Sequence, residues 1–187
     1  MLGFPATGKD MQRRKVKSAF EKLDKKNKLL FRIAKFLVKF NLFALPLYAI
    51  LLSGYQSAEV VELTAQFVQS LLTAFNIPFE RAGLLFSIAV ANGNWGAVIN
   101  WDCVGWKSLL AVFALVMATD YPMKKKLRGL AVLLPAVYIA NLLRIVFLIW
   151  FVSAYDIAYF AIVHAIVWSW GLIFLILASW ALWMRTR

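Results

Sequence analysis

The chain has 187 residues, 63% hydrophobic and 16% aromatic, with a mean hydropathy of +0.73. A soluble domain of this length cannot hide so much apolar surface, so the composition excludes an ordinary globular protein and points to an integral membrane one. One cysteine excludes an internal disulfide, and one cysteine with one histidine argues against a zinc site built from protein ligands, which needs three or four.

The net charge of +12 is unevenly spread. Twelve of the 21 Lys and Arg residues precede Asn41, within KDMQRRKVKSAFEKLDKKNKLLFRIAKFLVKF. A basic tail can bind nucleic acid. Directly before an apolar segment it reads instead as topological, keeping residues 1–35 in the cytoplasm and in reach of anionic lipid. No nucleic-acid partner is expected. No cleaved signal peptide is expected either, because the apolar run starts late and no A-x-A site follows it.

A helix needs about 20 apolar residues to cross ~30 Å of hydrocarbon. Four stretches qualify as candidates: 36–55, 104–120, 129–154 and 157–183. Basic clusters lie in the tail, in YPMKKKLR at 121–128 and in the terminal MRTR. The stretch between the first two spans sets only Arg81 against Glu59, Glu62 and Glu80, and the link near Tyr155 and Asp156 has no base. Four crossings with both termini cytoplasmic put every basic cluster on one side. The expected fold is therefore an all-α integral membrane protein of the cell membrane. A four-helix transmembrane bundle fills 36–187 behind the basic tail.

The outer segment, 56–103, has structure of its own. In SAEVVELTAQFVQSLLTAFNIP, apolar residues recur at Val60, Leu63, Phe67, Leu71 and Phe75. Glu59, Glu62, Gln66, Gln69 and Thr73 take the other face. The spacing predicts an amphipathic helix ended by Pro78, lying on the outer leaflet or against the bundle. Two glutamates argue against a fifth crossing. Next, Asn92-Gly93-Asn94 is a turn signal between two β-rich runs and predicts a hairpin of Leu84–Ala91 with Trp95–Trp101. It must lie near the interface or against protein to satisfy its edges.

The chain then reaches Cys103, at the start of the short second span. Arg144 lies 15 residues after Gly129, ~22 Å along the third span, and His164 lies seven residues into the fourth, ~10 Å below its outer end. Three helices thus place a thiol, a guanidinium and an imidazole at one outer depth. A helix N-terminus and a nearby cation lower a thiol pKa. His164 can shuttle the thiol proton, and Arg144 can hold an oxyanion. Asn141, on the same helical face as Arg144, can fix the guanidinium or bind substrate backbone.

Each residue also has a bland reading. A lone cysteine is usually a small hydrophobe, a lone intramembrane histidine often bonds a neighbouring helix, and an arginine near a helix end often snorkels. Asp102 reads as a helix N-cap whose charge would raise the thiol pKa. Lys107 either offsets that charge or snorkels. Trp95, Trp101 and Trp106 read as interface anchors, and Pro135 as a kink.

An amphipathic outer stretch, a hairpin, Cys103-Val104-Gly105 at a helix start, Asn141-x-x-Arg144 in the next span and a His in the last form an ordered set. Over about residues 40–183 this set resembles the exosortase/archaeosortase family of membrane transpeptidases. The resemblance implies a protein substrate bearing a C-terminal sorting signal: a short motif, a transmembrane helix and a basic end. The signal is cut at the outer face, and the new carboxyl end is passed to an acceptor such as a membrane lipid. It implies Cys103, Arg144 and His164 as the triad. Asp102, Gly105, Trp106 and Lys107, around the nucleophile, join Asn141 as candidate substrate contacts. The chain departs from many family members at Asp102 and Val104, where a small residue and a serine are usual. No cofactor and no metal is expected. Two other classes fit the composition: a small-solute transporter with Arg144 and His164 as ligand contacts, and a non-enzymatic assembly protein. Almost no polar side chains lie in the inner halves of the spans, which argues against an inner route.

Overall fold

The computed structural model describes residues 8–90, 93–155 and 160–185. In chain order the elements are α1 (Gly8–Phe43), α2 (Leu45–Ser53), α3 (Ala58–Ala74), β1 (Glu80–Ala82), β2 (Leu85–Val90), β3 (Gly93–Val98), a 3-10 turn (Trp101–Val104), α4 (Trp106–Ala118), α5 (Met123–Ala154), α6 (Phe160–Ala165), a π turn (Ile166–Gly171) and α7 (Leu172–Arg185). The hairpin turn residue Asn92, Asp156 of the predicted outer link and Ile157 at the start of the predicted fourth span lie outside the described residues.

The predicted spans map unevenly onto these helices. By length and composition α5 alone can cross a membrane by itself, and Asp24–Phe43 together with Leu45–Ser53 qualifies as a second span bent by 41°. The bend falls at Ala44, where Pro46 occupies the first turn of α2 and supplies no N–H to the preceding turn. The 104–120 stretch gives up its first residues to the 3-10 turn and to Gly105. That leaves α4 with 13 residues, about 20 Å of rise. The 157–183 stretch is divided among α6, the π turn and α7, and α7 has 14 residues. Length and composition therefore support one or two full spans among the described residues, where the sequence alone gives four. Helix α1 also runs past residue 36 without a break, so secondary structure marks no boundary between tail and membrane domain.

Lys35 and Lys39 of α1 both pair with Asp120 in the connection between α4 and α5. This brings the basic tail and the 121–128 basic cluster to one end of the molecule, the basic end. There Val112 and Val116 of α4, Leu130, Leu133 and Val137 of α5, and Ile176 and Trp183 of α7 form an apolar core. Gly129 allows the closest approach: a Cβ there would lie 2.4 Å from the Trp183 indole nitrogen. Helix α5 stays continuous through Pro135.

The other end is built around a three-stranded antiparallel sheet, ordered β1-β2-β3. The hairpin matches the expected one closely, except that the return strand ends at Val98 and Trp101 belongs to the 3-10 turn. Strand β1 was not foreseen, since Glu80-Arg81-Ala82 carries no alternation. Arg81 ties the strand to α3 by donating to Glu62 and Gln69. Its guanidinium also holds the Glu62 carboxyl below the usual range. Phe86, Ile88 and Ile99 of the sheet region pack with Leu72 and Val68 of α3 and with Ile145 and Ile149 of α5. Each such side chain contributes about 1.5–3 kcal/mol where the alternative is water.

Helix α3 forms, capped by the Ser57 hydroxyl accepting from the Val60 N–H, but a different face packs inward. The buried residues are Val61, Thr64, Ala65, Val68 and Leu72. Of the stripe chosen from the sequence, Val60, Leu63, Phe67 and Phe75 are exposed. The helix has two apolar stripes side by side. The one with smaller residues is buried against the core, while the larger one stays mostly exposed, with Phe67 edge-on to Tyr138 of α5 and Leu71 half-buried against the core.

Candidate active site

The segment before Cys103 is shaped by local hydrogen bonds. Asn100 is extended, and its side-chain oxygen accepts from the N–H groups of Asp102 (3.0 Å) and Cys103 (3.2 Å). Its carbonyl accepts from the Cys103 N–H at 3.0 Å. Asn100, not Asp102, is therefore the capping residue. Sequence reasoning passed over it, although an asparagine just before a short helical turn is a cap signal.

Gly105 ends the turn at φ +79° and opens α4, with its carbonyl accepting from Ser108 and Leu109. Two features demand glycine there. The backbone is left-handed, and a Cβ would lie 2.8 Å from the Asn141 side chain. Asn141, almost fully buried, donates from Nδ2 to the Cys103 carbonyl at 2.8 Å. The Cys-x-Gly and Asn-x-x-Arg elements, 38 residues apart, thus fit into one another: the glycine makes room for the asparagine that fixes the cysteine's backbone.

Cys103 and His164 line one cavity of about 230 Å³, together with β3 residues, Ile145, Leu148 and Ile149 of α5, and Phe160 of α6. The His164 ring sits 5.1 Å from Phe160, which in turn contacts Trp95 at 5.0 Å, so α6 is held to β3 by an aromatic row. The π turn follows directly after α6. Arg144, one residue before the cavity wall, is buried rather than snorkelling, and its cation is near enough to pull the thiol pKa down. Burial outweighs that pull. Together with the smaller effect of Asp102, it leaves the Cys103 thiol above its ordinary value, despite the hydrogen bond from Asn100 and the Arg144 charge. A thiol in this setting rests protonated and needs a base when it reacts.

Asp102 and Lys107 lie beside the cavity and pair with each other at 2.6 Å, both half-exposed. Lys107 therefore neutralises the carboxylate next to the thiol rather than snorkelling. Trp106 is buried and stacks on Trp101 at 5.7 Å, with the Lys107 ammonium 5.6 Å from its ring, so it belongs to the apolar core behind Cys103 and neither lines the cavity nor acts as an interface anchor. Among the described residues no three His, Cys, Asp or Glu side chains come together as a metal site would require.

The family described as "Transmembrane exosortase (Exosortase_EpsH)" matches residues 28–184. This chain belongs to that transmembrane exosortase family. A stretch of 46 residues is also 46% identical to archaeosortase A of Haloferax volcanii, covering 25% of this chain and 15% of that protein. The chain thus matches only a small part of this relative's length. No solved structure matches the chain. The family match begins inside α1, at residue 28, and runs nearly to the end of α7, so it takes in both ends of the exosortase fold described above.

Proposed function

We propose that this exosortase-family protein is a membrane cysteine transpeptidase. It would cleave the C-terminal sorting signal of anchored surface proteins at the outer face and pass the new C-terminus to an acceptor. The observation that carries this reading is the shared cavity: Cys103 and His164 line it together, with the buried Arg144 charge felt at the thiol.

His164 takes the proton from the Cys103 thiol as Sγ attacks the scissile carbonyl carbon. The carbonyl oxygen becomes an oxyanion, which the Arg144 guanidinium stabilises. The intermediate collapses, the C–N bond breaks, and His164 returns the proton to the departing amine. A thioester remains on Cys103. An acceptor hydroxyl or amine, on a lipid for example, then attacks that thioester, gives its proton to His164 and restores the thiol; water attacking instead gives hydrolysis. Asn141 and Gly105 act as positioning residues, and Asp102 and Lys107 line the approach for substrate. With the termini and basic end in the cytoplasm, the sheet end and this chemistry face outward. Among the described residues the core at the basic end is apolar, which supports chemistry confined to the other side.

The test is to express the full chain with a co-encoded surface protein that ends in a transmembrane helix and a basic tail, and to follow loss of that tail. Cys103→Ala should abolish processing. Processing at the native rate in Cys103→Ala would overturn the proposal.

A further inference from the structure

Among the described residues, strand β3 has a free edge to which the proposed acyl-transfer chemistry assigns no role. The sheet order leaves β3 without a second neighbour among the described residues. Its register tells which backbone groups face out. The Ile99 N–H donates to the Leu84 carbonyl at 3.0 Å, and β3 pairs with β2 through Ala97 opposite Phe86 and Trp95 opposite Ile88. Hydrogen-bonded pairs alternate along an antiparallel ladder. Ile99, Ala97 and Trp95 therefore bond to β2, while the N–H and C=O groups of Asn94, Gly96 and Val98 point to the open edge.

That edge belongs to the candidate active site. Residues 95–99 line the Cys103 cavity in unbroken succession, and Gly96, having no side chain, lines it with backbone alone. Open backbone groups near a membrane interface are costly unless a partner arrives, and sheet edges are a common place for peptides to add.

We propose that β3 is the docking strand of this protein: an extended peptide segment of the anchored substrate adds to its free edge as a fourth strand, beside Cys103. The proposal rests on the acyl-transfer reading and adds how substrate is held. Backbone hydrogen bonds to Gly96 and Val98 supply sequence-independent affinity and fix the distance of the scissile carbonyl from the thiol. Specificity follows from the pleat. Ile99, Phe86 and Ile88 mark the inward face of the sheet, while Val98 is 60% exposed on the other. Alternate side chains of an added strand therefore point inward, toward a cavity walled by Ile145, Leu148, Ile149 and Phe160. That cavity selects an apolar side chain at one position of the motif, and the outward positions tolerate polar residues.

The experiment uses the full chain in membranes with the co-encoded anchored protein as substrate. Val98→Pro removes one outward N–H without removing a bond to β2. Processing should fall about tenfold, the value of one good hydrogen bond. Labelling of Cys103 by iodoacetamide should stay at the native rate. Native processing by Val98→Pro overturns strand addition. If Cys103→Ala also processes, the acyl-transfer reading fails instead, so the two failures are distinguishable. A second measurement does not depend on the variant's folding. Peptides covering the residues before the substrate's transmembrane helix are N-methylated one position at a time and used as competitors. Loss of competition at every second position supports the docking strand, and uniform loss or no loss overturns it.

Discussion

The sheet end and the basic end of this molecule are both packed, but they are packed for different purposes. At the basic end, apolar side chains of α4, α5 and α7 meet around Trp183, and charge stays on the exposed Lys35, Lys39 and Asp120. At the sheet end, polar groups are placed inside the protein: Asn141 and Arg144 are buried, and Asn100, Cys103 and Gly105 follow one another through a tight turn. Helix α5 runs through both. Its first half packs into the apolar core behind exposed basic residues, and its second half carries the buried polar side chains Asn141 and Arg144. The lesson is that on this shared helix the expensive buried polar groups, Asn141 and Arg144, lie at the end that holds Cys103.

This contrast can be broken by mutation. The largest effect is expected for Gly105→Ala. It forces a Cβ onto Asn141 and strains a left-handed backbone, displacing Cys103; processing should fall about 100-fold, as for a catalytic group moved by about 1 Å. Asn141→Leu leaves the Cys103 carbonyl without its donor and should cost about 1–3 kcal/mol, seen as slower processing and a lower melting temperature. Gly129→Ala, at the other end, should also cost about 1–3 kcal/mol through overpacking against Trp183. Processing per folded molecule should not change. A catalytic defect in Gly129→Ala would erase the distinction between the ends.

Charge effects are smaller and have opposite signs. The thiol lies above its ordinary value, so iodoacetamide labelling of Cys103 should rise with pH on the alkaline side. The Asp102 carboxylate raises the thiol and Arg144 lowers it. Asp102→Asn should therefore shift the labelling midpoint to lower pH, and Arg144→Gln should shift it higher. Equal shifts of one sign would mean that neither charge reaches the thiol. The smallest effect belongs to Asp120→Asn, which breaks only exposed ion pairs. It should leave processing unaltered and move the melting temperature slightly.

Part of the candidate site can be compared with the chain. The sequence singles out Cys103, Arg144 and His164 from a four-span layout, and the structure brings Cys103 and His164 to one cavity with Arg144 buried nearby. The hairpin was legible from its glycine turn and β-rich flanks. Other features were not. The inward face of α3 was misjudged because two apolar stripes adjoin, and only the closeness of α5 selects the one with Val61, Ala65 and Val68. Strand β1 pairs with β2 and is tied to α3 through Arg81, Glu62 and Gln69, long-range contacts that no local pattern announces. Asn100 was overlooked in favour of Asp102, since both residue types can cap and only backbone geometry separates them.

By itself the sequence determined a membrane-embedded chain with its basic residues in a few clusters, because hydropathy and charge are sums over local composition. It also determined which residue types were available for chemistry. Tertiary structure alone decided that Gly105 makes room for Asn141, that Lys107 pairs with Asp102, and that β3 lines one cavity with Cys103. Each of these joins positions through side-chain packing or strand pairing, interactions set by distance in space. Hydropathy along the chain carries no record of them.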